Sequence, residues 1–138
     1  MFKTRITELL GIEYPIVGGC MMHVSGPEFV AAISNAGALG MMASAMFDTQ
    51  EEFRQAVRRA KELTDRPFGV NLSLFPALRP IDNGLYVEVI LEESVPVVET
   101  SGHRPPEDLL ARLRDGGIKT MHKWCGMPSA HSGPAWTP

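Results

Sequence analysis

Gly18-Gly19-Cys20-Met21-Met22-His23 gathers small, sulfur-bearing and imidazole side chains into one short run. Two adjacent glycines let a backbone turn and approach a flat ligand with no Cβ in the way. Ile16 and Val17, just before them, give the apolar run of a short strand hidden on both faces. Ser25-x-x-Glu28, just after them, has the pattern of a capping box, with Pro27 in the first helical turn. Backbone amides and small residues therefore stand at the carboxyl end of a strand, where α/β folds bind ligands. The same pattern also makes an ordinary strand-to-helix turn. Cys20 reads as a filler of a small gap in that turn, since nothing beside it suggests an activated thiolate. A second polar candidate is Asn71, alone among the apolar residues of Phe68-Gly69-Val70-Asn71-Leu72. A buried amide must be paired, so a ligand, a neighbouring loop or a nearby backbone group is expected to take its hydrogen bonds.

The elements that would hold these residues follow from hydrophobic spacing. Phe29, Val30, Ile33 and Ala36 make a helical stripe that Asn35-Ala36-Gly37 ends. Ala38 to Ala43 is the next short buried strand. Asp48-Thr49-Gln50-Glu51 caps a second helix, with Phe53, Ala56, Val57 and Ala60 inward and Arg54, Arg58, Arg59 and Lys61 mostly on the solvated side. Phe68 to Leu74 is a third strand, and Phe75 to Pro80 a loop. Leu85, Tyr86, Val89 and Ile90 form a third helix face. Val95 to Thr100 is a fourth strand, Leu109, Leu110 and Leu113 mark a fourth helix that Gly116-Gly117 ends, and Ile118 to Lys123 is a fifth strand. Strands alternating with amphipathic helices imply a parallel sheet. The repeat suits a (β/α) barrel, with a doubly wound sheet as the other solution.

At 138 residues the chain has the length of one domain, with 44% apolar and 21% charged residues. The formal net charge of −3 gives no basic footprint for nucleic acid. No apolar run is long enough to span a bilayer, and no signal core follows Lys3 and Arg5. Cys20 and Cys125 lack zinc or redox spacing, so a cytoplasmic chain with free thiols and no metal is expected.

Thr4 to Ile16 resembles the opening of the nitronate monooxygenase family, also called 2-nitropropane dioxygenases. So do SNAGALG (Ser34 to Gly40), RPFGVNLSL (Arg66 to Leu74), VPVVETSGHRP (Val95 to Pro105) and GIKTMHK (Gly117 to Lys123), in the same order. The flavin-dependent enoyl reductases of fatty-acid synthesis are close relatives. The resemblance implies a TIM barrel that binds FMN at the carboxyl ends of its strands and oxidises alkyl nitronates with molecular oxygen to a carbonyl compound and nitrite. It places Gly19, Cys20, Met21 and Met22 along the isoalloxazine ring, largely through backbone. It places Asn71 and Ser73 against the flavin from the third strand and Lys123 beside it from the fifth. A cation there favours the anionic reduced ring. The family usually has Gln-Gly-Gly-Met where this chain has Gly18-Gly19-Cys20-Met21, often an aromatic residue at His23, and a Gly at Ala38. Its catalytic base lies elsewhere than His23, on a segment beyond the fifth strand.

A complete barrel needs about 250 residues and eight strands. This chain has room for five, so the expected fold is α/β, a partial TIM barrel over 1–123, and an inactive fragment. Its first and fifth strands would leave open edges through which copies could associate. The resemblance stops near Lys123, and Trp124 to Pro138 has no helical or strand period. Reading that tail one nucleotide earlier permits V-V-R-D-A-E-R-A-Q-R-A-G-V-D-A, an amphipathic helix leading into a strand. A frameshift after Lys123 is the expectation. Sequencing the locus tests it: the remaining barrel segments should lie downstream in a neighbouring frame, and their absence there sinks the frameshift.

Overall fold

The computed structural model describes residues 3–74 and 82–124. The expected loop at 75–80 and all of the expected tail beyond Trp124 lie outside the described residues. Five strands form one parallel sheet in strict sequence order: β1 (Val17–Gly18), β2 (Leu39–Ala43), β3 (Phe68–Ser73), β4 (Val97–Gly102) and β5 (Lys119–Trp124). Sequential order excludes a doubly wound sheet, whose strand order reverses at a switch point. The fold is a half-barrel of five parallel strands.

Between the strands run α2 (Pro27–Asn35), α3 (Gln50–Leu63), α4 (Asn83–Glu92) and α5 (Glu107–Asp115). They bury their stripes on one side of the sheet. Val30, Phe53, Val57, Tyr86, Val89, Ile90 and Leu113 pack there with Met42, Val70, Leu72 and Val98 from the strands. Phe53 meets Tyr86 edge-on at 5.1 Å between ring centres, and the Tyr86 hydroxyl donates to the Phe47 carbonyl at 2.6 Å. Outside this core, the Glu93 carboxylate gathers Arg58 at 2.8 Å, Lys61 at 3.7 Å and Arg54 at 3.8 Å, tying α3 to the end of α4.

The opposite, inner side of the sheet holds a smaller core of Leu39, Met41 and Val97 with Leu10 and Ile12. Leu10 ends a helix that hydrophobic spacing did not reveal, α1 (Arg5–Leu10), and Ile12 follows it just past Gly11. Six residues are too few to show a period. A capping box carries the signal instead. Thr4 Oγ1 accepts from Thr7 N–H at 3.2 Å, Thr7 Oγ1 accepts from Thr4 N–H at 2.9 Å, and Gly11 ends the helix at φ 73°. The helix packs at the amino ends of the strands and so closes the half-barrel from below.

Several local expectations change. The first strand is two residues long, and Ile16 and Val17 are exposed rather than hidden on both faces. Phe29 and Leu85 also face outward, because the strips α2 and α4 bury are narrower than their apolar patterns. The Ser25 capping box does not form: Gly26 is the N-cap of α2 and makes no side-chain cap. Pro27 does sit in the first turn.

One close approach fixes α2 on the sheet. A Cβ on Gly40 would overlap the Val30 carbonyl, so only glycine lets the helix lie against β2 there. At Gly19 a Cβ would meet nothing within 4 Å. Gly40→Ala should therefore destabilise the fold by about 1–3 kcal/mol. Gly19→Ala should stay within about 0.5 kcal/mol of the parent. Urea denaturation followed by circular dichroism measures both, and equal midpoints would contradict the packing.

Candidate functional site

Parallel register assembles a polar patch on the inner side. Asn71 on β3 stands opposite Glu99 on β4, and in the next rows Ser73 stands opposite Ser101, and Ser101 opposite Lys123 on β5. Side chains alternate along a strand, so these positions share the inner face with Met41, Val97 and Met121. Asn71, Ser73, Ser101 and Lys123 lie in the carboxyl halves of their strands, and Glu99 lies just before the middle of β4.

The patch is one connected network. Asn71 Nδ2 donates to Glu99 Oε1 at 2.7 Å, and Ser101 Oγ donates to Asn71 Oδ1 at 3.4 Å. Lys123 Nζ lies 3.1 Å from the same Glu99 Oε1. Asn71, Glu99 and Ser101 are buried, with Glu99 only 8% exposed. A carboxylate this deep needs opposite charge and hydrogen bonds, and here it has both. The Asn71 backbone is held too: Ser44 Oγ donates to its carbonyl at 2.7 Å. Within the protein, the partners of the Asn71 side chain are thus the side chains of the neighbouring strand, rather than a loop or local backbone. The Ser73 side chain is half-buried, and its carbonyl accepts from Asn83 Nδ2 at 3.0 Å.

The loop after β1 reaches this patch through Cys20. Ser25 is fully buried, and its hydroxyl turns back to clasp the loop: it accepts from Met21 N–H at 2.9 Å and donates to the Gly19 carbonyl at 3.4 Å. Ser25 N–H in turn donates to the Met21 carbonyl at 3.0 Å. His23 closes the turn in the left-handed region at φ 61°. Met21 and Met22 are left exposed, at 45% and 51%. Cys20 turns the other way. It is half-buried against the inner core, within the fields of Lys123 and Glu99. Burial pushes its thiol above the ordinary range, opposed by Lys123 and reinforced by Glu99. That favours the neutral thiol.

The structure thus brings Cys20, Asn71, Ser73 and Lys123 to one wall and sets Gly19, Met21 and Met22 at its rim. His23 is exposed on the turn. His122 lies on the other side of β5, with Nδ1 at 2.9 Å from Thr100 Oγ1. Sequence reasoning missed Glu99, Ser101 and the clasp by Ser25. A charged residue inside the apolar run Val95 to Thr100 was the available signal for Glu99. Its pairing with Asn71 rests on register. Among the described residues no cluster of three or more His, Cys, Asp or Glu could hold a metal ion. No helix among them is long and apolar enough to cross a membrane.

The clasp makes a measurable prediction. Ser25→Ala removes the partner of the Met21 N–H from a part-buried bond, a cost of about 0.5–1.5 kcal/mol. Hydrogen exchange at the Met21 amide should speed up roughly two- to tenfold. An unchanged Met21 rate would show that the hydroxyl does not hold the loop.

The comparisons with known proteins agree with this geometry. The profile of the family described as Nitronate monooxygenase matches residues 3–86, more than half of the chain. A (3aS,4S,5R,7aS)-5-hydroxy-7a-methyl-1-oxo-octahydro-1H-indene-4-carboxyl-CoA dehydrogenase of Mycobacterium tuberculosis is 37% identical over 134 residues, 97% of this chain and 36% of that protein. A probable nitronate monooxygenase of Staphylococcus aureus is 28% identical over 150 residues, covering 86% of this chain and 42% of that protein. Among solved structures, FabK from Thermotoga maritima superimposes with a TM-score of 0.78 at 35% identity, covering 88% of this chain and 37% of that one. A nitroalkane oxidase from Streptomyces ansochromogenes gives 0.75 at 30% identity, covering 86% and 42%. The chain spans about two fifths or less of the length of these relatives. Five parallel strands in sequence order, their polar carboxyl-end wall and the matched profile lead to one assignment: the chain belongs to the nitronate monooxygenase family.

Proposed function

We propose that this chain supplies the amino-terminal wall of an FMN site in an oxidoreductase that converts alkyl nitronates and molecular oxygen to a carbonyl compound and nitrite. The observation that carries the reading is the Asn71–Glu99–Lys123 network on the inner face of β3, β4 and β5, whose two charged members act on Cys20 of the loop after β1. The residues present suit a flat, polar-edged ring. Space is open at Gly19, and the Cys20 side chain packs into the inner core instead of standing in the path of a ring. Met21 and Met22 offer exposed apolar surface to a ring face. Because Ser25 takes the Met21 N–H, backbone donation to the ring falls to the neighbouring amides of Cys20 and Met22. Asn71 and Ser73 would meet the ring from β3, and Lys123 would place a cation beside it. When bound, FMN supplies the redox chemistry that the side chains lack.

The catalytic base and the phosphate loops of this fold would come from later strands. These residues therefore bind and orient without turnover of their own. The open outer edges of β1 and β5 would favour self-association of the isolated chain. The non-family character of 124–138 is part of the same proposal.

A second reading is chemistry on a CoA thioester by a related flavin enzyme. It is favoured by 37% identity to the mycobacterial CoA dehydrogenase against 28% to the staphylococcal protein. A fragment of an enoyl reductase belongs with this reading. A self-associating remnant without flavin is the third.

One experiment separates them. The chain is purified with FMN, freed of unbound flavin, and assayed for flavin absorbance and for nitrite release from a nitronate, beside a frame-restored full-length protein. The short chain should release no nitrite and retain flavin weakly, since losing three charge-assisted phosphate bonds of about 1.5–3 kcal/mol each weakens binding a thousandfold or more. The restored protein should be yellow and active. Stoichiometric flavin with turnover in the short chain overturns the proposal, and activity of the restored protein only on CoA thioesters selects the second reading.

A further inference from the structure

Among the described residues, Glu99 is the one buried side chain that carries a charge. Its immediate surroundings do not explain it on stability grounds. Beside it on β5 stands Met121, and below it on the inner face the wall is apolar through Met41 and Val97. A buried ion pair seldom stabilises a fold more than apolar residues of similar volume would. The geometry around it is nevertheless specific. Ser101 Oγ donates to Asn71 Oδ1, which fixes the amide orientation and turns Nδ2 toward Glu99. The carboxylate is thereby held from β3, and the same oxygen reaches Lys123 on the outermost strand, β5. The lysine side chain is 47% exposed and ends a flexible four-carbon stem.

We propose that Glu99 is a positioning residue for Lys123: its carboxylate draws the ammonium over the inner wall, so that the cation stands at the carboxyl ends of β3, β4 and β5 facing the ligand. The role of that position toward FMN rests on the function proposed above, whereas the coupling between the two side chains does not. Glu99 also matches the lysine charge, so the wall presents an oriented donor rather than an uncompensated cation. The Cys20 thiol of the loop after β1 lies within the fields of both groups.

The test is acylation of the full chain by an N-hydroxysuccinimide ester, with the rate at each lysine read by peptide mapping. Glu99→Gln keeps an acceptor for Asn71 and removes the charge that holds Lys123. Acylation at Lys123 should accelerate roughly tenfold, while Lys119 on the same strand and the urea midpoint stay as in the parent. In the unmodified chain, raising NaCl to molar levels should accelerate Lys123 more than Lys119, because salt screens the pair; this arm needs no variant to fold. Equal rates at Lys123 in parent and variant, or no selective salt effect, overturn the proposal. Added FMN should protect Lys123 in the parent and protect it less in Glu99→Gln. Equal protection in both overturns the positioning role. Protection in neither, with the flavin-free difference intact, supports the coupling and rejects the FMN reading instead.

Discussion

Parallel pairing in strict sequence order is the constraint on which the rest of this structure depends. It forces every strand to run the same way, so all carboxyl ends gather at one end of the half-barrel. The register from β3 to β5 then decides which residues become neighbours. Asn71 meets Glu99, and Ser101 meets Lys123, though 28 and 22 residues separate each pair. A slip of one residue in β4 would turn Glu99 toward the outer core against α4 and α5, away from Asn71 and Lys123. Burial of that charge therefore ties the register to the polar wall.

The two sides of the sheet are built differently. The outer side is a continuous apolar layer in which four helices cover the strands, sealed at its margin by Glu93 and the cations of α3. The inner side is apolar only near the amino ends, where α1 closes it, and becomes polar toward the carboxyl ends. This gradient is what separates a barrel floor from a ligand face.

The loop between β1 and α2 shows how a local motif can be reassigned by packing. Ser25 has the spacing of a helix cap, yet its hydroxyl faces the preceding turn, and α2 begins at Pro27 without a side-chain cap. Pro27 removes one of the amides a cap would serve. The buried hydroxyl then satisfies the Met21 N–H and shapes the loop that carries Gly19 to Met22.

Local chemistry made much of the architecture legible. Alternating strands and helices, Thr49 before α3, Gly37 and Gly116 after their helices, and the inward set Phe53, Ala56, Val57 and Ala60 all follow from short-range spacing, which depends only on the 3.6-residue and two-residue periods of the backbone. Motif resemblance added the family and the candidates Gly19 to Met22, Asn71, Ser73 and Lys123. Tertiary structure alone decided the partners. The short helix α1 has too few turns for a period to show, and exposure of Ile16, Phe29 and Leu85 depends on how much of each apolar stripe a neighbour covers. The link from Asn71 through Glu99 to Lys123 depends on strand register, a relation between distant segments that residue order does not contain until the sheet has formed.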